Sequence, residues 1–167
     1  MNRSLYILII LLATALCCQG GTGLLQEYKR TGEVTLYDYY FHSCRASLVL
    51  GVDSTGVETP VLALTLEDDD FTMGWGDEVS FRMKDGSLVT LKCADDLRRG
   101  DVHWRRFKNG KIRYVTHCYH LQWEQLERLK EMECRTLVLK TRVHETKRNL
   151  KDVKSKFAKL YSDLTAK

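Results

Sequence analysis

A chain of 167 residues, with 26 Lys/Arg against 22 Asp/Glu and a formal net charge of +4, is long enough for one ordinary domain and too short for two. The basic excess is local: His144–Lys167 holds seven Lys/Arg against three acids, which leaves the body close to neutral. A nucleic-acid binder carries its positive field on the folded body, so that function class is disfavoured.

Residues 1–20 read as a secretory signal peptide. Arg3 supplies the basic tip, Leu5–Leu16 is an unbroken apolar run, and small residues follow around Gly20. The run is too short to span a bilayer, which takes about 20 residues as a helix, so no transmembrane helix is expected in the mature chain. Cys17 and Cys18 are candidate lipidation sites, although neither follows the small residue that such processing favours. Ordinary cleavage fits better, and the expected location is periplasmic, cell-surface or secreted.

Residues 21–143 read as a β-rich body. Val34–Phe41 (VTLYDYYF) and Ala46–Val52 are predicted strands, separated by a polar break at His42–Arg45. Asp53–Thr59 is a loop, and Pro60 stands at the start of a strand over Val61–Leu66, where proline is tolerated. Glu67–Gly76 reads as a charged, glycine-containing loop. Glu78–Cys93 is a hairpin. Alternation puts Val79, Phe81 and Met83 on one face, and a three-residue loop Lys84-Asp85-Gly86 pairs Phe81 with Val89 and Val79 with Leu91. A two-residue turn would mix the faces.

Arg98–Arg113 reads as a basic, aromatic connection, and Lys111–Tyr119 as the strand after it, with Asn109-Gly110 as a turn. The period then changes: Leu126, Leu129 and Met132 recur at three-residue spacing, a short amphipathic helix over 122–132. Cys134–Val143 returns to strand. Residues 144–167 form the C-terminal amphipathic segment, with a helix expected over Thr146–Thr165. Its stripe, Leu150, Val153, Phe157, Leu160 and Leu164, packs on the body in one reading and seats a partner helix in the other.

No motif fixes a chemistry. His117, Cys118 and His120 are metal-ligand types, but neighbouring strand residues point to opposite faces and no zinc spacing is present, so neither metal nor cofactor is expected. Nucleophile signatures are absent. Two carboxylates suffice for glycoside hydrolysis, which keeps a hydrolase as the rival reading, with Glu67–Asp70 the densest acidic group. Cys44, Cys93, Cys118 and Cys134 are candidate disulfide cysteines, with three connectivities open beside four buried thiols. The candidate ligand contacts are Trp75, Arg98, Arg99, Trp104, Arg105 and Arg106, which suit a glycan, an anionic surface or an envelope protein. Tyr37 and Tyr39, on one strand face, add an aromatic platform or a core pair.

The hairpin FRMKDGSLVTL and the run YVTHCYHLQWEQLERLKEMECRTLVLKT resemble small exported bacterial β-domain proteins of unknown function, over about Asp77–Thr141. In those a strand runs into a short EQLEKL-like helix and then a KIRI-like strand, places held here by Glu124–Leu129 and Thr136–Leu139. The proline usual before that helix is replaced by Leu121-Gln122. The resemblance implies no catalytic residues. The fold expected is α+β: an antiparallel β-sandwich or open barrel with a short helix and a C-terminal helix. The function expected is an exported, non-catalytic binding or structural module, with a hydrolase or an envelope assembly component as alternatives.

Overall fold

In the computed structural model, residues 26–39, 42–67, 77–93, 102–107, 110–141 and 144–166 are described. They form an α+β fold of two antiparallel sheets and two helices. The strands are β1 (Gln26–Arg30), β2 (Val34–Tyr39), β3 (His42–Val52), β4 (Glu58–Glu67), β5 (Glu78–Met83), β6 (Leu88–Lys92), β7 (Val102–Phe107), β8 (Gly110–His120), β9 (Cys134–Lys140) and β10 (Glu145–Asn149). The helices are α1 (Trp123–Glu131) and α2 (Val153–Thr165).

The six-stranded sheet runs β1-β3-β4-β8-β7, with β2 also on β3; the four-stranded sheet runs β10-β9-β5-β6. β1 pairs with the Val49–Val52 end of β3 and β2 with the His42–Ala46 end, so together they make one edge of the larger sheet. Among the described residues the backbones of the two sheets meet at one bridge, between Cys93 and Tyr119. The far sides, β2 and β10, are not paired to each other. The result is an open sandwich with one joined side and one open seam; it is not a closed barrel.

Leu48, Leu62, Leu64, Phe81, Leu91, Tyr119, Leu126, Leu137, Phe157 and Leu160, drawn from both sheets and both helices, belong to one buried cluster. At its centre Phe81 meets Phe157 edge-on, with ring centroids 5.7 Å apart. A smaller buried cluster holds Val49, Val61, Ala63 and Cys118. The α2 stripe, Val153, Phe157, Leu160 and Leu164, is buried in the chain's own core. The short helix α1 is tied to the β5–β6 hairpin by Arg128 Nη2 donating to Ser87 Oγ (2.8 Å) and Gln125 Nε2 donating to the Thr90 carbonyl (3.4 Å).

The β5–β6 hairpin has the register that its alternation dictates, with Val79 opposite Leu91 and Phe81 opposite Val89. Gly86 sits at φ +87°, the left-handed conformation that the three-residue loop needs and that a side chain resists.

Four elements differ from the sequence expectation. β1 had no predicted counterpart. His42–Arg45, read as a polar break, is the start of β3, because it pairs with β2 on one side and β4 on the other, and Arg45 reaches Glu33 (3.0 Å) and Glu67 (3.4 Å). Val102–Phe107 is a strand hairpinned to β8, not a connection. Finally, the helix expected from Thr146 begins at Val153, and Glu145–Asn149 is a strand on β9. The reason is tertiary: Leu137, Val138 and Leu139 bury β9, and its outer backbone edge needs a partner, which β10 supplies.

Candidate functional site

β2 is short and ends at the β2–β3 connection, and β10 turns sharply into α2. That turn is made at Asp152, at φ 55° the only non-glycine residue with positive φ among those described. The two geometries leave an open groove of about 690 Å³ along the seam. One wall is the run Glu33–Tyr39, the loop residue and the whole of β2. The other is Asn149 and Lys151 at the β10–α2 junction, with Ser155, Lys156 and Lys159 on the first turns of α2.

A bulge shapes the β2 wall. The register on β3 shifts between Thr35 and Tyr37, so Leu36 is the extra residue, and Leu36 and Tyr37 are both buried. Tyr37 and Tyr39 then stack, with centroids 5.9 Å apart and planes at 30°. Only one ring is open to a ligand: Tyr37 is 7% exposed and Tyr39 47%. The Tyr39 hydroxyl donates to the Asn149 carbonyl at 3.1 Å and ties the two walls together at that end. The outer backbone edge of β2 pairs with no strand among the described residues.

The walls differ in charge. On the helix side Lys156 Nζ donates to the Lys151 carbonyl at 2.8 Å, and none of Lys151, Lys156 and Lys159 forms an ion pair among the described residues. On the strand side lie Glu33 and Asp38, and Glu33 pairs with Arg45 at 3.0 Å. Arg45 also reaches Glu67 and lies 5.8 Å from the centroid of the Tyr114 ring. The groove therefore carries a cationic wall, with Asp38 and one open aromatic ring, Tyr39, on the wall opposite.

Tyr37 and Tyr39 are the sequence-flagged residues that the structure brings to this groove. Trp104, Arg105 and Arg106 lie on β7 instead, opposite Arg113, Ile112 and Lys111 on β8. Trp75, Arg98 and Arg99, like Cys17, Cys18 and the acidic run at 68–70, lie outside the described residues. Sequence reasoning missed the lysines of α2. Their only local signal was the basic excess after His144, which reads as an ordinary solvated helix face.

Cys44, Cys93, Cys118 and Cys134 are buried, and none of the three possible disulfide pairings among them is made. Cys118 belongs to the small cluster, whereas Cys44, Cys93 and Cys134 lie in the main core. Burial pushes the Cys44 thiol far up and Cys134 up to about 11, which suppresses the thiolate and any nucleophilic role for either. Cys93 Sγ lies 3.9 Å from His117 Nδ1, inside the joined side of the sandwich. Among the described residues no three His, Cys, Asp or Glu side chains gather as a metal site, and no helix is long and apolar enough to cross a membrane. No protein-family model, curated protein or solved structure matches the chain, so its functional reading rests on the groove and on the sequence.

Proposed function

We propose that this chain is an exported, non-catalytic binding module of the cell envelope or the extracellular space, and that its ligand seat is the seam groove. The observation that carries the binding reading is the groove's wall of lysines, Lys151, Lys156 and Lys159, none of which forms an ion pair among the described residues. The leader-like residues 1–20 support export, as does the resemblance of Asp77–Thr141 to exported β-domain proteins. An anionic partner suits the lysines, whether a glycan, an anionic surface or an acidic envelope protein. Use of the C-terminal stripe for assembly is disfavoured, because a partner would first have to pull that stripe out of the core.

The test is a titration of the isotopically labelled chain with three defined anions: a heparin-derived tetrasaccharide, phosphatidylglycerol vesicles and an acidic peptide. At least one should move the amide signals of Glu33–Tyr39 and Lys151–Lys159. The triple variant Lys151→Glu, Lys156→Glu, Lys159→Glu should lose that response at least tenfold while keeping its thermal midpoint. If no probe moves those signals, or if the variant responds equally, the groove is not the ligand seat.

A further inference from the structure

Lys151, Lys154, Lys156 and Lys159 stand in the first half of α2 and the turn before it, with Asp152 as the one acid among residues 151–162. None of these lysines forms an ion pair among the described residues. The buried stripe fixes where they stand. Val153, Phe157, Leu160 and Leu164 turn into the core, so the opposite side of the helix faces solvent. Lys154 and Lys159 are five positions apart and so about 140° apart around the axis, one on each flank of that solvent side. Between the flanks lie exposed Ser155 and Ser162, small residues that let a flat partner come close to the helix.

The spread of these charges narrows the partner. A discrete anion is held where cations converge, and here they diverge: Lys156 and Lys159 line the seam groove, whereas Lys154 lies outside it. All are lysines, compact point charges without the forked geometry by which arginine grips a single carboxylate or phosphate. Divergent point charges match a surface of many mobile anions, which is what anionic head groups in a bilayer present. Tyr39 stands beside them, 47% exposed, with its hydroxyl on the carbonyl of Asn149, two residues before Lys151. A tyrosine with one part apolar and one part wet suits the interfacial layer of a membrane. We infer that the basic face of α2, with Tyr39 at its edge, rests on an anionic lipid bilayer. This deepens the binding reading above and rests on it; the contact extends past the groove to Lys154.

A surface can be separated from a pocket by counting lysines. The processed chain is sedimented with vesicles of equal parts phosphatidylglycerol and phosphatidylcholine, and with vesicles of phosphatidylcholine alone. Binding should need the phosphatidylglycerol and should weaken steeply as salt is raised. Each of Lys151→Gln, Lys154→Gln, Lys156→Gln and Lys159→Gln should weaken the partition by about fivefold at an unchanged thermal midpoint, because every lysine near such a surface adds a similar increment. Lys154→Gln decides the matter, since it removes a charge that a ligand confined to the groove would not touch.

If Lys154→Gln binds vesicles as the wild type does while the groove lysines matter, or if phosphatidylcholine alone binds as well, the bilayer contact is overturned. If the vesicles fail to bind and the tetrasaccharide or the acidic peptide moves the groove signals, the membrane is the wrong partner and the binding reading survives. If no probe binds, both fall.

Discussion

His120 closes β8, where it pairs with Val61 of the neighbouring strand. Its neighbours strip water from the ring and lower its pKa below the ordinary value of about 6.5. The sign follows from proton binding. The folded state takes up the proton less readily than the unfolded chain, so stability is full above pH 6.5 and falls as the pH drops through the folded-state pKa. The side chain remains open to solvent, which keeps the effect small. Thermal midpoints of the wild type and His120→Gln, compared at pH 7.5 and 5, should show a smaller acid-induced loss in the variant. An equal loss would assign the acid sensitivity to other groups.

At the scale of elements, the decisive contact is that of α2 with the sheets. Phe157 is fully buried and edge-on to Phe81, so Phe157→Ala removes a ring that nothing replaces. Urea unfolding should show a loss of about 3–5 kcal/mol. A loss under about 1 kcal/mol would mean that the helix is only loosely attached.

How far such elements were legible depended on where their determinants lie in the chain. The β5–β6 hairpin was readable down to its register, because Val79, Phe81, Val89 and Leu91 alternate within a few residues of Gly86. The stripe of α2 was equally readable. β10 was not, since Glu145–Asn149 has no apolar alternation and is a strand only because β9 lies beside it. β7 was hidden for a similar reason: its basic run reads as a connection, and only its pairing with β8 makes it a strand. The groove was half legible. Tyr37 and Tyr39 share a strand face in any reading, but their bulge and the lysine wall depend on contacts such as Tyr39 with Asn149, 110 residues apart.

For the whole molecule, the two sheets are joined along one side by the Cys93–Tyr119 bridge and across the middle by a common core. The four cysteines sample this unit well: Cys44 on β3, Cys93 at the end of β6, Cys118 on β8 and Cys134 on β9, all buried. If the sandwich unfolds as one unit, their thiols should resist alkylation in buffer and become reactive together across a single denaturant transition. Labelling of one thiol well before the others would show that its sheet opens separately.

The place of Phe157 in the chain has a kinetic consequence. Phe157 follows its edge-on partner Phe81 with β6 to β10 and α1 between them in the chain, and β9 pairs with β5 across β6, β7, β8 and α1. The core is therefore sealed by contacts between segments far apart in sequence, and such pairings close slowly. Until β9 and α2 are made, the smaller sheet lacks the strand between β10 and β5 and the core lacks the Phe157 ring.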